Sequence, residues 1–431
     1  MTASMLRKDR RAVLRALGAG ALAGPLAACA SWTAMRNARV VVVGGGYGGA
    51  TAAKYVRAFS GGRVDVTLVE PNAAFVSCPL SNLVLSGDRD LASITVPYDA
   101  LVARHGVRWV RDRASAIDVG ARQVRLAGGG SLDYDRLILS PGIEFIPGAI
   151  PGLADPATAA RAPHAWKAGT QTLALRHRLE AMPNGGTVAI SIPLAPYRCP
   201  PAPYERACLI ANWLQRAKPD SRVLILDAND EVTSKGALFK RVWAERYPNH
   251  IEYRPQYNAV DIDPTGHVLK FDVQDDVQAE VVNLIPPQRA GAIAVQAGLA
   301  TANGRWCEVD FLSFESRVAP GVHVIGDAIQ TAPLMPKSGH MANQHGKVAA
   351  AAVVAMLAGH APDASPLYAN TCYSFTAPDE AIHVASVHRF DPIARTMVTV
   401  PGAGGVSDMP SAAEATLAQG WSRAIWSDML G

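Results

Sequence analysis

The sequence predicts an α/β chain with two strand–turn–helix units of dinucleotide-binding type and a smaller α+β domain behind them. Three stretches carry this prediction. Val40-Val-Val-Val43 runs into Gly44-Gly-Gly46-Tyr-Gly-Gly49 and then a helical pattern. Thr187-Val-Ala-Ile-Ser-Ile192 repeats the strand and leads, through a turn without glycine, into a helix at Tyr204–Arg216. From about Pro362 the pattern changes to three strand-like runs and an amphipathic stretch.

At 431 residues the chain can hold two or three domains, and its apolar fraction of 49% is that of a globular protein. Beyond the first thirty residues no apolar run is long enough to span a bilayer. The formal charge of +4 sits in the leader, where Arg7, Lys8, Arg10, Arg11 and Arg15 stand against Asp9. The remainder is neutral, which argues against a nucleic-acid surface. Arg10-Arg11 before Ala16–Gly24 and Leu26-Ala-Ala-Cys29 resembles a twin-arginine export signal over residues 1–30, which predicts a periplasmic protein; the alternative is a short N-terminal helix. Cys29 is open to two readings, a lipid anchor or ordinary cleavage beside it. The other cysteines are 78, 199, 208, 307 and 372, with no Cys-x-x-Cys pair, so neither a zinc site nor an attached haem is expected.

In the first unit the fingerprint G-x-G-x-x-G falls on Gly44, Gly46 and Gly49. These positions permit a tight turn, close approach of a pyrophosphate and close helix–strand packing. The next strand, Val64–Glu70, ends in an acid placed for a ribose hydroxyl pair. The context marks an adenine dinucleotide site of Rossmann-like form. Cys78, in Phe75-Val-Ser-Cys78-Pro-Leu, reads by itself as a core thiol. Weak strand signals follow at Val107–Arg111 and Gln123–Leu126. Leu132-Asp-Tyr-Asp-Arg-Leu-Ile-Leu-Ser-Pro-Gly142-Ile is the expected return of a meander into the nucleotide-binding sheet.

The second unit keeps the strand, the helix and a second strand ending in an acid, Arg222–Asp227. Its turn, Pro193–Pro203, holds five prolines and Cys199. Proline offers no backbone N–H to a pyrophosphate, so this turn is not built for a nucleotide. The first domain is expected to resume at Val281–Gln288 and Val322–Ala328, with Gly326-Asp327 placing a carboxylate on flavin ribityl hydroxyls or capping the next helix. That helix, an Ala-rich stretch from Met335 with a polar opening, carries Lys337 in the opening, read as either a cation near a flavin or a solvated lysine. Strands are expected at Tyr368–Phe375, Ala381–Val387 and Thr396–Val400, then a Gly-rich loop. Ala412–Leu430, with Trp421 and Trp426, is read as a packed helix rather than a membrane anchor.

Several strings taken together resemble the flavoprotein subunit of flavocytochrome c sulfide dehydrogenase. They are S-C-P-L-S-N around Cys78, H-A-W-K-A-G at 164–169, Y-R-C-P-P-A-P-Y-E-R-A at 197–207, N-L-I-P-P-Q-R-A-G at 283–291, M-P-K-S-G at 335–339 and N-T-C-Y-S at 370–374. The resemblance implies a glutathione reductase-like arrangement: a FAD-binding domain at 38–160 and 282–360, a second Rossmann-like domain without nucleotide at 161–281, and a C-terminal interface domain at 361–431. It implies FAD bound through a thioether at Cys78, a redox-active disulfide between Cys199 and Cys372, and Glu205 as proton acceptor. Hydrosulfide is then the substrate, and a separate c-type cytochrome subunit takes the electrons in a hetero-oligomer. The cofactor-binding set is Gly44, Gly46, Gly49, Glu70, Cys78, Gly142, Gly326, Asp327 and Lys337. Two rival readings are a sulfide:quinone oxidoreductase and an accessory flavoprotein of a sulfur-oxidising complex.

Overall fold

The computed structural model describes residue 35 and residues 37–431. The export signal and Cys29 lie outside the described residues.

A five-stranded parallel sheet anchors the first unit, in the order Val322–Val324, Arg136–Leu139, Arg39–Val43, Asp65–Val69, Arg108–Val110. Val40–Val43 are buried, as an all-parallel sheet covered on both faces requires. The helix Tyr47–Phe59 packs on the helix Gly339–Leu357. The contact is close because Gly346 lacks a Cβ, which would fall 2.5 Å from the Gly48 carbonyl oxygen. Ala114–Asp118, Gln123–Leu126 and Ser131–Asp133 form the antiparallel meander, and Arg136–Leu139 returns from it as expected.

The second unit is a four-stranded parallel sheet, ordered Ile251–Pro255, Arg222–Asp227, Thr187–Ile192, Val281–Leu284. This corrects one expected boundary. Val281–Leu284 was assigned to the resumption of the first domain, yet it pairs with Val188–Ser191 and is buried along its whole length. The chain crosses back only afterwards, where Gln288–Ala290 pairs antiparallel with Ile143–Phe145.

The C-terminal domain is a three-stranded antiparallel sheet, Leu367–Ala377, Glu380–Asp391 and Thr396–Val406, with the helix Ala412–Leu430 packed against it. The expected Gly-rich loop is instead part of the third strand. Gly404 has φ +151°, and a Cβ there would stand 2.4 Å from the Ala385 carbonyl oxygen, so glycine serves close strand approach beside a register shift. The final helix is the packed element expected: Ser411 Oγ caps it at Glu414 N, and Trp426 Nε1 donates to Tyr47 Oη at 3.2 Å. No helix among the described residues is long and apolar enough to cross a membrane.

Candidate functional site

The three fingerprint glycines do three different jobs. Gly44 has φ +96°, and a Cβ on it would lie 2.3 Å from Ser140 O; a Cβ on Gly49 would lie 1.8 Å from Gly44 O. Both are fixed by the backbone of the turn. Around Gly46 nothing stands within 4 Å of the Cβ position, and the residue opens onto a cavity of about 540 Å³. Glu70 lines the same cavity, its Oε2 accepting from Gly45 N at 2.8 Å and its Oε1 from the Asn72 backbone and side-chain nitrogens.

Gly142, Gly326 and Asp327 line the cavity further along, the two glycines with φ +63° and +72°. Asp327 is the informative residue. Its Oδ1 is buried without a hydrogen-bond partner, and burial raises its pKa. A buried carboxylate oxygen left unpaired costs about 1–3 kcal/mol or more, so it marks where a hydroxyl-bearing group belongs. A cavity with an acid for a ribose, an open glycine at a helix start and a second acid for a polyol fits FAD. The indole N–H groups of Trp166 and Trp421 are likewise buried, without partners, in residues of its lining.

At its far end the cavity reaches the glycine-free turn. Cys199 holds a left-handed backbone, φ +55°, which costs a non-glycine residue roughly 1–2 kcal/mol. Two backbone bonds fix it, from Cys199 N to Lys337 O at 2.8 Å and from Ala202 N to Cys199 O at 3.0 Å. Behind the turn, the chain packs its own polar groups together. Asp227, at the end of the second strand, is fully buried and accepts from Tyr204 Oη at 2.6 Å, Tyr253 Oη at 3.2 Å, and Asn229 N and Nδ2. Tyr197 is buried beside it and shares Thr233 with Tyr204.

Cys372 comes from the strand Leu367–Ala377 and lies beside Cys199, close enough that each thiol shifts the pKa of the other. Both are half-buried, free thiols that line the cavity. Their pKa values part. The Cys199 thiol lowers that of Cys372 to about 7 against the effect of burial, with the Lys235 ammonium helping. The Cys372 thiol, together with burial, raises that of Cys199. Glu205, in the first turn of the helix Ala202–Ala217, accepts from Asn82 Nδ2 and from Phe375 N, each at 3.0 Å. Burial raises its carboxyl pKa, which makes it a better proton acceptor than an exposed carboxylate.

Most of the expected residues therefore share one cavity: Gly46, Glu70, Cys78, Gly142, Cys199, Glu205, Gly326, Asp327 and Cys372. Lys337 is a correction. Its ammonium turns away from the cavity to the carbonyls of Asp327 and Ile329 and over the Trp306 ring at 3.7 Å, and burial lowers its pKa to about 7. It braces the Asp327 turn from behind. Cys208 and Cys307 are buried core thiols, as expected. The sequence reading missed Asn82, Arg206 and Lys235. Arg206 is buried, donates to Asn82, His164, Ala165 and Asn283, and lies over the Trp166 ring. A charge adjacent to Glu205 on a buried helix was its one available signal.

Three parts of the chain match known families. Residues 172–286 match the family described as the central part of the sulfide dehydrogenase [flavocytochrome c] flavoprotein chain. Residues 364–430 match the flavin-binding part of flavocytochrome c sulphide dehydrogenase, and 38–188 match pyridine nucleotide-disulphide oxidoreductase. A flavocytochrome c sulfide dehydrogenase flavoprotein chain of Chlorobaculum thiosulfatiphilum is 63% identical over 46 residues, 94% of that sequence and 11% of this chain. The mitochondrial sulfide:quinone oxidoreductase of mouse is 25% identical over 332 residues, 71% of this chain and 69% of its own. Among solved structures, the sulfide:quinone oxidoreductase of Aquifex aeolicus superposes with a TM-score of 0.73 at 18% identity, covering 91% of each chain. That likeness shows the fold, two Rossmann-like units with a C-terminal sheet domain.

Proposed function

Because the chain belongs to the family of flavocytochrome c sulfide dehydrogenase flavoprotein chains, we propose that it oxidises hydrosulfide through Cys199 and Cys372 and passes the electrons to a c-type cytochrome subunit. The observation that carries this reading is the contact of the two thiols at one end of the cavity whose other residues suit FAD. In the oxidised form the pair is a disulfide. Hydrosulfide attacks one sulfur, the S–S bond breaks, and the protein holds a persulfide and a thiolate. Glu205 takes up the persulfide's proton, and the outer sulfur leaves at the zero oxidation state with its S–S bond broken. The two thiolates left behind re-form the disulfide as two electrons pass on. Gly46 and Gly142 leave room for the dinucleotide, Glu70 and Asp327 hold its hydroxyls, and Cys78 bonds it covalently. Bound FAD supplies a two-electron acceptor that can release electrons one at a time.

The saturation of Asp227 by the chain's own donors supports the exclusion of nicotinamide. The paired arginines of the leader support work in the periplasm. One observation favours quinone as acceptor instead, the long alignment with a sulfide:quinone oxidoreductase. Sulfide-dependent reduction of a c-type cytochrome and of a soluble quinone, measured side by side, separates the two. Cytochrome reduction is expected, and quinone reduction alone would move the chain to the second reading. For Cys78, flavin should stay with the acid-precipitated protein and leave it in Cys78→Ala; flavin released from the wild type rules the covalent bond out.

A further inference from the structure

Lys235 is a buried charge with no part in the reaction as drawn so far. It stands at a left-handed residue, φ +57°, before the helix Gly236–Arg246, and is 8% exposed. Its ammonium reaches from the second unit to the C-terminal sheet, donating to Cys372 O at 2.9 Å and Ser374 Oγ at 2.8 Å. Both partners are neutral. An ammonium out of water is costly unless an anion faces it. The groups that can do so are Cys372 and Glu205, then Cys199 and Glu414. Glu205 already gives its two oxygens to Asn82 and Phe375 N. In a disulfide neither sulfur is charged, so the ammonium lacks its nearest counter-ion until the bond opens.

We propose that Lys235 is a positioning residue that fixes the polarity of the Cys199–Cys372 bond, so that hydrosulfide attacks the Cys199 sulfur and Cys372 leaves as the thiolate. The new S–S bond forms as the old one breaks. Cys199 then carries the –S–SH group, the negative charge of hydrosulfide ends on Cys372, and no external electron or proton is needed. The sulfur with the lower pKa is the better leaving group. The charges around the pair agree with this direction. Cys372 is faced by Cys199 from the turn, by Glu205 from the helix Ala202–Ala217 and by the Lys235 ammonium. Cys199 is faced by Arg198 on its own turn and by Glu205, and the Cys372 thiol together with burial raises its pKa.

The inference takes its substrate from the proposed sulfide reaction, but the charge asymmetry is present in the thiols without sulfide and is tested there. In the reduced, flavin-loaded protein, iodoacetamide labelling followed by peptide mass spectrometry gives a pH profile for each cysteine. Cys372 should inflect near 7 and below Cys199. In Lys235→Met the Cys372 inflection should move up by about one unit or more, a roughly tenfold loss of thiolate at neutral pH, and Lys235→Arg should restore it. An unchanged profile in a folded Lys235→Met, or Cys199 inflecting below Cys372 in the wild type, overturns the proposal. Sulfide treatment of the oxidised wild type, quenched by alkylation, should place the extra sulfur on Cys199; finding it on Cys372 also overturns it. If no persulfide forms on either, the sulfide reading fails while the labelling profiles still decide the role of Lys235.

Discussion

The turn after Val43 and the turn after Ile192 are built on one plan. Each follows a buried parallel strand, opens a helix, and faces an acid at the end of the neighbouring strand, Glu70 in one and Asp227 in the other. In the first, the acid is held by backbone N–H groups and still lines an open cavity. In the second, tyrosine hydroxyls and Asn229 saturate the acid, and the turn presents a cysteine. The helix start of the first turn is left open for a phosphate. The helix start of the second begins with prolines and places Glu205 one turn along, beside the thiols. One supersecondary plan thus carries an open glycine turn in the first unit and a proline-rich turn bearing a cysteine in the second.

The largest expected effect comes from removing what distinguishes the second turn. Cys199→Ser should lower sulfide-driven flavin reduction by roughly a thousandfold or more, the scale on which loss of a nucleophile acts, while flavin content stays that of the wild type. Stopped-flow absorbance measures it, and unchanged reduction would remove the cysteine pair from the reaction. Next comes the acid that the same turn delivers. Burial raises the pKa of Glu205 above the usual 4.5, so its acceptor form is lost as pH falls through that raised value. Activity should fall with it. Glu205→Gln should flatten this limb of the pH–rate profile and cost roughly a hundredfold in rate; a profile identical to that of the wild type would assign the limb elsewhere. The smallest effect concerns the polar groups packed around Asp227. Tyr204→Phe removes a 2.6 Å hydrogen bond to a fully buried carboxylate and should cost about 1–3 kcal/mol in denaturant unfolding. Sulfide-driven reduction should persist in that variant. A stability loss near zero would mean that Tyr253 and Asn229 alone satisfy Asp227.

Much of this contrast was legible in the sequence because it is written in residues with few conformational options. Glycines at 44, 46 and 49 and prolines from 193 to 203 declare what their backbones can and cannot offer. Strands such as Thr187–Ile192 and Arg222–Asp227 show as unbroken apolar runs because both faces are covered. The meeting of Cys199 with Cys372 is of another kind. It depends on how a C-terminal sheet docks on two α/β units, and no local pattern encodes that; only the resemblance suggested it. Long, flexible side chains were the least legible. Lys337 lies where a flavin-facing cation was expected, but its ammonium turns to backbone carbonyls. Lys235 sits in no motif, and its side chain crosses to another domain. Val281–Leu284 was misassigned because an apolar strand does not say which of two similar sheets it joins.

We propose that the turn after Ile192 serves sulfide chemistry and binds no nicotinamide. Anaerobic titration of the flavin-loaded wild-type protein with sulfide and, separately, with NADH tests it most directly. Sulfide should bleach the visible absorbance of the oxidised flavin and NADH should leave it intact. Bleaching by NADH with no response to sulfide would contradict the account.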